Sequence, residues 1–176
     1  MAKLYAFLVA TTLLALIAAA PALAGTFPPF PMGNCAAGSC WGSSEGDTIT
    51  GTAADEGRHG LGGDDLIRGM DGNDFLTGDA GDDAVYGGAG NDLVEGNRGD
   101  DWVEGGTGDD KVNGGVGADM VVGNKGADRL LGGGGRDHVD GGGEGRDVLD
   151  CGSGFDVYEA GPDDTVMNNC EKKVDG

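Results

Sequence analysis

Apolar positions follow two different rules along this chain. Between Leu4 and Ala20 they run almost unbroken, interrupted by Thr11 and Thr12. From Gly60 onward they are sparse and evenly spaced. The sequence there divides into blocks of nine: GLGGDDLIR from Gly60, GMDGNDFLT from Gly69, GDAGDDAVY from Gly78, and so on to CGSGFDVYE from Cys151. There are eleven such blocks, with Gly141 read as one extra residue before the block at Gly142. Position 8 is always apolar or aromatic: Ile67, Leu76, Val85, Val94, Val103, Val112, Val121, Leu130, Val139, Leu149 and Tyr158. Position 4 is Gly in every block. Position 6 is Asp in every block: Asp65, Asp74, Asp83, Asp92, Asp101, Asp110, Asp119, Asp128, Asp137, Asp147 and Asp156.

This pattern predicts a turn of about six residues, Gly-x-x-Gly-x-Asp, followed by a strand of about three. One such unit per nonapeptide describes an all-β solenoid, a parallel β-helix or β-roll, with two blocks to each coil. Strand alternation turns position 8 inward and its neighbours outward. Collagen needs Gly at every third residue, which is absent here. A Gly-rich linker has no fixed Asp, and this Gly density forbids a helical solenoid. Position 2 is Gly, Asn or Asp in nine of the eleven blocks, the residues that best accept positive φ. Leu61 and Met70 depart from that rule, so the first two turns are expected to be looser. Before Gly60, GSSEGDTIT keeps Asp47 and Ile49, whereas GTAADEGRH has Glu56 for Asp and Arg58 at the apolar position. Residues 42–59 read either as a degenerate cap coil or as an unpaired acidic loop.

Composition changes the picture in one respect. The 176 residues carry 31 acidic and 11 basic side chains, a net charge of −20. That excludes nucleic acid as a partner, because phosphate binding needs a basic face. Residues 1–24 have Lys3 as their one charge and end in Ala22-Leu23-Ala24, the pattern of a secretory signal peptide. The apolar stretch is short for a membrane span, so none is expected after cleavage, and the mature chain is expected to be secreted. From Gly25, Leu, Ile, Val and Phe make up about 16% of the chain. Below roughly 20%, highly charged chains stay disordered. Something outside the apolar core must therefore hold the roll together.

Stacked coils place the position-6 carboxylates in two columns at about 4.8 Å spacing. Such columns repel one another and attract a hard divalent cation. Calcium takes about 6–8 oxygens from carboxylates and backbone carbonyls, and Gly turns leave carbonyls uncovered. No clustering of His or Cys suits a softer metal. Position 5 is Asp or Asn in the first six blocks and then Ala118, Ala127, Arg136, Arg146 and Phe155. The earlier half is thus expected to depend more on cation. Arg136 and Arg146 are alternatively placed for surface salt bridges.

Residues 60–159 resemble the RTX, or haemolysin-type, calcium-binding repeat, Gly-Gly-x-Gly-x-Asp-x-apolar-x. The resemblance implies that Gly-rich turns hold Ca²⁺ between stacked loops, with oxygens from the sixth-position Asp and from backbone carbonyls. Carried over, Asp65 shares an ion with Asp83, Asp74 with Asp92, and so on to Asp137 with Asp156. That gives up to about nine ions, and Asp47 with Asp65 gives a tenth. The implied function is a secreted calcium-binding protein whose folding is coupled to the ion. The alternative is a Ca²⁺-dependent adhesion or partner-binding protein of the cell surface using the same roll. The family's toxins and proteases typically leave by a C-terminal signal, from which the N-terminal signal here departs.

Cys35, Cys40, Cys151 and Cys170 are expected to be oxidised in an exported chain. Proximity favours Cys35–Cys40 and Cys151–Cys170 among three pairings; free thiols or a metal site are the other reading. Pro28, Pro29 and Pro31 make 25–41 an extended lead-in, with Trp41 placed to cover the first coil, and 160–176 a C-terminal cap or tail. An enzyme is not expected. The chain has two His, His59 and His138, and no His-Glu-x-x-His.

Overall fold

A computed structural model describes residues 39–143 and 145–174. The expected signal peptide, the lead-in up to residue 38 and Cys35 lie outside them. Sixteen strands alternate between two sheets. The first sheet holds β1 (Cys40–Trp41), β3 (Gly57–His59), β5 (Phe75–Ala80), β7 (Leu93–Arg98), β9 (Lys111–Gly117), β11 (Arg129–Gly135), β13 (Val148–Gly154) and β15 (Thr165–Val166). The second holds β2 (Thr48–Thr50), β4 (Leu66–Asp71), β6 (Ala84–Ala89), β8 (Trp102–Thr107), β10 (Met120–Lys125), β12 (His138–Asp140), β14 (Val157–Glu159) and β16 (Lys172–Lys173). Each strand pairs, in parallel, with the strand two further along the chain. Two blocks therefore make one coil, and the fold is an all-β parallel solenoid, a β-roll.

The core is one column of position-8 side chains per sheet. Val85, Val94, Val103, Val121, Val139 and Leu149 are fully buried, and Tyr158 packs against them at the C-terminal end. Residues 42–59 carry β2 and β3, which pair in register with β4 and β5. There Arg58 takes the inward place beside Leu76 and is wholly buried. Among the described residues no helix is long and apolar enough to cross a membrane.

The strands are longer than the expected three residues. Those in the middle of the roll run for six or seven, because positions 2 and 3 of the next block resume the register after the Gly at position 1, as in Asp79↔Asn97 and Ala80↔Arg98. The turn shrinks to positions 4–6. At position 4 the backbones of successive coils almost touch. Gly99, at φ +127°, faces the Gly81 carbonyl so closely that a side-chain carbon there would clash with it.

Position 2 takes positive φ whatever its residue. Asp79, Asn97 and Asn124 do so, and so do Leu61 (79°) and Met70 (87°). Met70 keeps its register with Gly88, whereas strand pairing at the first turn stops at His59, before Leu61; both residues bear local strain. The extra residue also falls elsewhere than expected. Gly141 takes position 1, facing Gly123 from the next coil, and Gly142 takes position 2 above Asn124. The insertion lies between Gly142 and Gly145, where Gly143 has open space around it.

Trp41 does not cover the first coil. It is 60% exposed and stacks on His59 at 5.6 Å, which in turn meets the edge of Phe75 at 5.4 Å. Among the described residues the ion pairs are Arg58–Glu56 and His138–Glu159, and Arg136 and Arg146 join neither. Cys151 and Cys170 form a disulfide, and Cys40 is also disulfide-bonded.

Two outcomes follow for the folded roll. A non-Gly residue in the left-handed region costs roughly 1–2 kcal/mol, and Asn less. Met70→Asn is therefore expected to raise stability in urea unfolding by about 1 kcal/mol; a loss instead would mean that Met70 is not held at positive φ. Cys170→Ser opens a disulfide whose cysteines are 19 residues apart, and an expected loss of about 3 kcal/mol in the same assay follows from loop-closure entropy.

Candidate metal-binding turns

Each position-6 Asp immediately precedes its strand, two residues before the inward apolar side chain. Alternation therefore turns it inward as well. From Asp47 to Asp156 these carboxylates are at most 7% exposed. From Asp65 onward one oxygen of each is used in stacking; in Asp47 one oxygen instead accepts the Ser43 N–H at 2.6 Å. The backbone N–H of Asp65 donates to Asp83 Oδ1 at 2.8 Å, that of Asp83 to Asp101 Oδ1 at 2.8 Å, and that of Asp101 to Asp119 Oδ1 at 2.9 Å. The other edge repeats this through Asp74, Asp92, Asp110 and Asp128, at 2.8–2.9 Å. The insertion after Gly142 does not break either ladder. Asp128 donates to Asp147 at 2.9 Å and Asp137 to Asp156 at 2.8 Å, each across 19 residues instead of 18.

The second oxygen has no such partner. Oδ2 of Asp65, Asp74, Asp83, Asp92, Asp101, Asp110, Asp119, Asp128, Asp137 and Asp156 is buried without a hydrogen bond. From Asp65 to Asp137 it faces the Gly at position 1 of its own block, and at most of these turns the carbonyl of the position-1 residue one coil on. A methyl group on Gly114 would lie 2.6 Å from Asp119 Oδ2 and 2.7 Å from the Gly132 carbonyl oxygen. Both separations are shorter than a carbon can keep, so only Gly fits there. The turn thus brings an unpartnered carboxylate oxygen close to a backbone carbonyl, two oxygens of the kind a hard cation takes. Among the described residues no three side chains of His, Cys, Asp or Glu converge on one point. A cation in these turns must draw part of its shell from the backbone, which suits a hard ion.

Burial penalises the charged form of these acids. It raises the Asp101 and Asp110 carboxyls to about 7, with the neighbouring ladder carboxylates pushing the same way and the backbone N–H bond partly offsetting both. Asp74, Asp83, Asp119 and Asp128 are raised to about 6 for the same first cause.

A second, exposed ladder runs through position 5 in the opposite sense. The N–H of Asp100 donates to Asp82 Oδ1 at 2.9 Å, and Ala118 N–H to Asp100 Oδ1 at 2.8 Å. It stops at Ala118 and Ala127, which accept nothing. The acidic first half of position 5 therefore has a stacking role of its own.

The structure brings all twelve sequence-derived Asp residues into the two inner ladders and adds three acids. Glu56 N–H donates to Asp74 Oδ1 at 2.9 Å. Asp147 N–H donates to Asp164 Oδ1 at 3.0 Å, and Asp156 N–H to Glu171 Oε2 at 2.8 Å. The ladders thus continue past the last nonapeptide. Asp164-Thr165-Val166 keeps the Asp-x-apolar signal that marks the other blocks, without their glycines. Glu171-Lys172-Lys173 has no comparable signal.

A family model for the RTX calcium-binding nonapeptide repeat, four copies long, matches residues 59–94, 86–121, 95–130, 113–144 and 122–158. Together these matches span more than half of the chain. The chain belongs to the RTX calcium-binding repeat family. No curated protein matches it. The RTX matches end at 158, one coil short of the ladder's last rungs. They begin at His59, just after the Glu56–Arg58 coil that departs from the pattern.

The raised RTX carboxyls fix a pH dependence for the metal-free roll. An ordinary Asp has a pKa of about 3.9, so the folded ladder binds protons more tightly than the unfolded chain does. The stabilisation is fully present below about pH 4 and is lost as pH rises through 6 to 7. Stripped of divalent cations, the protein should show more β signal in far-UV circular dichroism at pH 4.5 than at pH 7.5. The opposite order would mean that the carboxylates are not buried in the metal-free state.

Proposed function

We propose that this is a secreted calcium-binding protein whose Asp and Gly turns hold Ca²⁺ between stacked coils, and whose folding is coupled to the ion. The observation that carries the reading is the row of buried, unpartnered Asp Oδ2 atoms, which at Asp65, Asp74, Asp92, Asp101, Asp119 and Asp128 lie close to a Gly carbonyl of the next coil. The ligands are assigned to Asp47, Asp65, Asp74, Asp83, Asp92, Asp101, Asp110, Asp119, Asp128, Asp137, Asp147 and Asp156, with the position-1 carbonyls. Bound there, Ca²⁺ supplies positive charge to columns that otherwise repel. About nine ions would bring +18 to a mature chain at 10 − 31 = −21. The chain's own part is to set the oxygens at coil spacing and exclude water from one side of them.

Without ions the apolar core is two thin columns, too little to offset chain entropy at neutral pH. Extracellular calcium modules typically bind at about 10⁻⁴–10⁻³ M. Export into a calcium-rich medium would then switch folding on. The N-terminal segment 1–24 fits that route as a signal peptide.

The test is far-UV circular dichroism of residues 25–176 at pH 7.5 during a Ca²⁺ titration, with Mg²⁺ as control. A cooperative, Ca²⁺-selective gain of β signal is expected. A flat titration sinks the coupling. Gly114→Ala pushes a methyl against Asp119 and the Gly132 carbonyl, and Asp119→Asn keeps the stacking acceptor but removes the charge. Each should lower the bound calcium at saturation by one or two ions, since Asp119 is shared by two pairs, and move the midpoint to higher Ca²⁺.

A further inference from the structure

Glu56 is the one inner-ladder acid between residues 56 and 137 whose second oxygen is partnered. Its Oε2 accepts the Thr52 N–H at 2.8 Å, its Oε1 accepts the Thr52 hydroxyl at 2.7 Å, and Arg58 Nη2 lies 2.6 Å from Oε2. Both members of that ion pair are fully buried. Arg58 stands where the rest of its column has Leu76, Val94 and Val112, and its Nη1 donates to the Gly57 carbonyl at 3.2 Å. Its charge also acts favourably on Asp74, the next carboxylate of the same ladder. Glu56 Oε2 lies between Gly51 and the Gly69 carbonyl, the place that Asp119 Oδ2 has beside Gly114 and the Gly132 carbonyl. A carboxylate one methylene longer than Asp turns back toward the core and meets a guanidinium there.

A guanidinium keeps its charge even when buried, and neither dilution nor a chelator removes it. We propose that Arg58 is a built-in cation that takes the place of calcium at the Glu56–Asp74 rung, so that this rung binds no ion and the N-terminal coils stand without calcium. The first half rests on the calcium reading of the other rungs; the second does not. Two further metal-free fasteners lie in the same coils. Cys40, the strand partner of Arg58, is disulfide-bonded, and Trp41, His59 and Phe75 stack along the outer face. A preformed end offers β4 and β5 an edge to pair with, removing the loop-closure cost of starting a parallel sheet. Calcium then extends the roll from that end.

The experiment is hydrogen exchange, read by mass spectrometry, on the metal-free protein at pH 7.5 with its disulfides intact, beside calcium counting by equilibrium dialysis. Amides of 48–59 are expected to exchange roughly tenfold or more slowly than those of 93–130. Arg58→Leu restores the apolar position and leaves Glu56 without its cation. It should lose that protection and bind one more calcium ion at saturation. Wild-type protection with an unchanged ion count in Arg58→Leu would overturn the proposal. Should that variant not fold, the double variant Glu56→Gln, Arg58→Leu decides: it should fold and bind no extra ion, and an extra ion there would overturn the assignment. Wild-type protein that binds no calcium yet protects 48–59 would sink the calcium reading alone. Calcium binding without slow exchange at 48–59 would sink the preformed end alone.

Discussion

Everything in this roll depends on an acid turned inward. The position-6 Asp shares the buried face with the apolar residue two places on. One of its oxygens closes a hydrogen bond to the coil before; the other ends in a space with no donor. Burying a carboxylate in this way is costly unless it is paired. The carboxylate ladder holds the register of the stack, yet it opposes the stack through its charge. Protonation relieves that conflict, and a bound cation would relieve it in the same way. The raised Asp101 and Asp110 carboxyls express the proton half of that linkage.

The glycines belong to the same constraint. At position 4 they let one backbone lie directly against the carbonyl of the coil before, as Gly99 does against Gly81. At position 1 the missing side chain lets the carboxylate and a carbonyl of the next coil close in on the backbone, as Asp119 and the Gly132 carbonyl do at Gly114. Coil spacing set by backbone contact thus also sets how near these oxygens come to one another. An Ala at position 1 and an Asn at position 6 would damage one turn by different means, the first by pushing the oxygens apart and the second by discharging the carboxylate.

The period, the two sheets and the inward columns were legible because side-chain identity repeats at fixed places. Ile67 through Leu149 all read as core and are core. What the pattern hid follows from backbone pairing, which leaves no mark on residue type. Strands run on through positions 2 and 3 because those residues resume the register, although their composition is that of a turn. The inserted residue could be assigned to Gly141 or to its neighbours, since glycines look alike in sequence; the contact of Gly142 with Asn124 decides it. Asp164 was visible as Asp-Thr-Val but stood outside the glycine pattern. Glu171 enters its ladder from a segment with no repeat features at all, placed by the turn that the Cys151–Cys170 disulfide closes.

The ends of the roll show why the fasteners differ along it. An ion held between two coils needs a coil on each side, so the terminal coils can be completed from one side only. A solenoid end is also an open sheet edge. Disulfide-bonded cysteines sit at both places, Cys40 in β1 and Cys170 between β15 and β16. The inward column changes character at the first end too, where Arg58 stands in the place of an apolar residue. Disulfide bonds at both ends, and a guanidinium at one, hold coils that carboxylate stacking completes from one side only. The ends are thus set by the chain itself, whereas the carboxylates between them answer to the protons and cations of the medium.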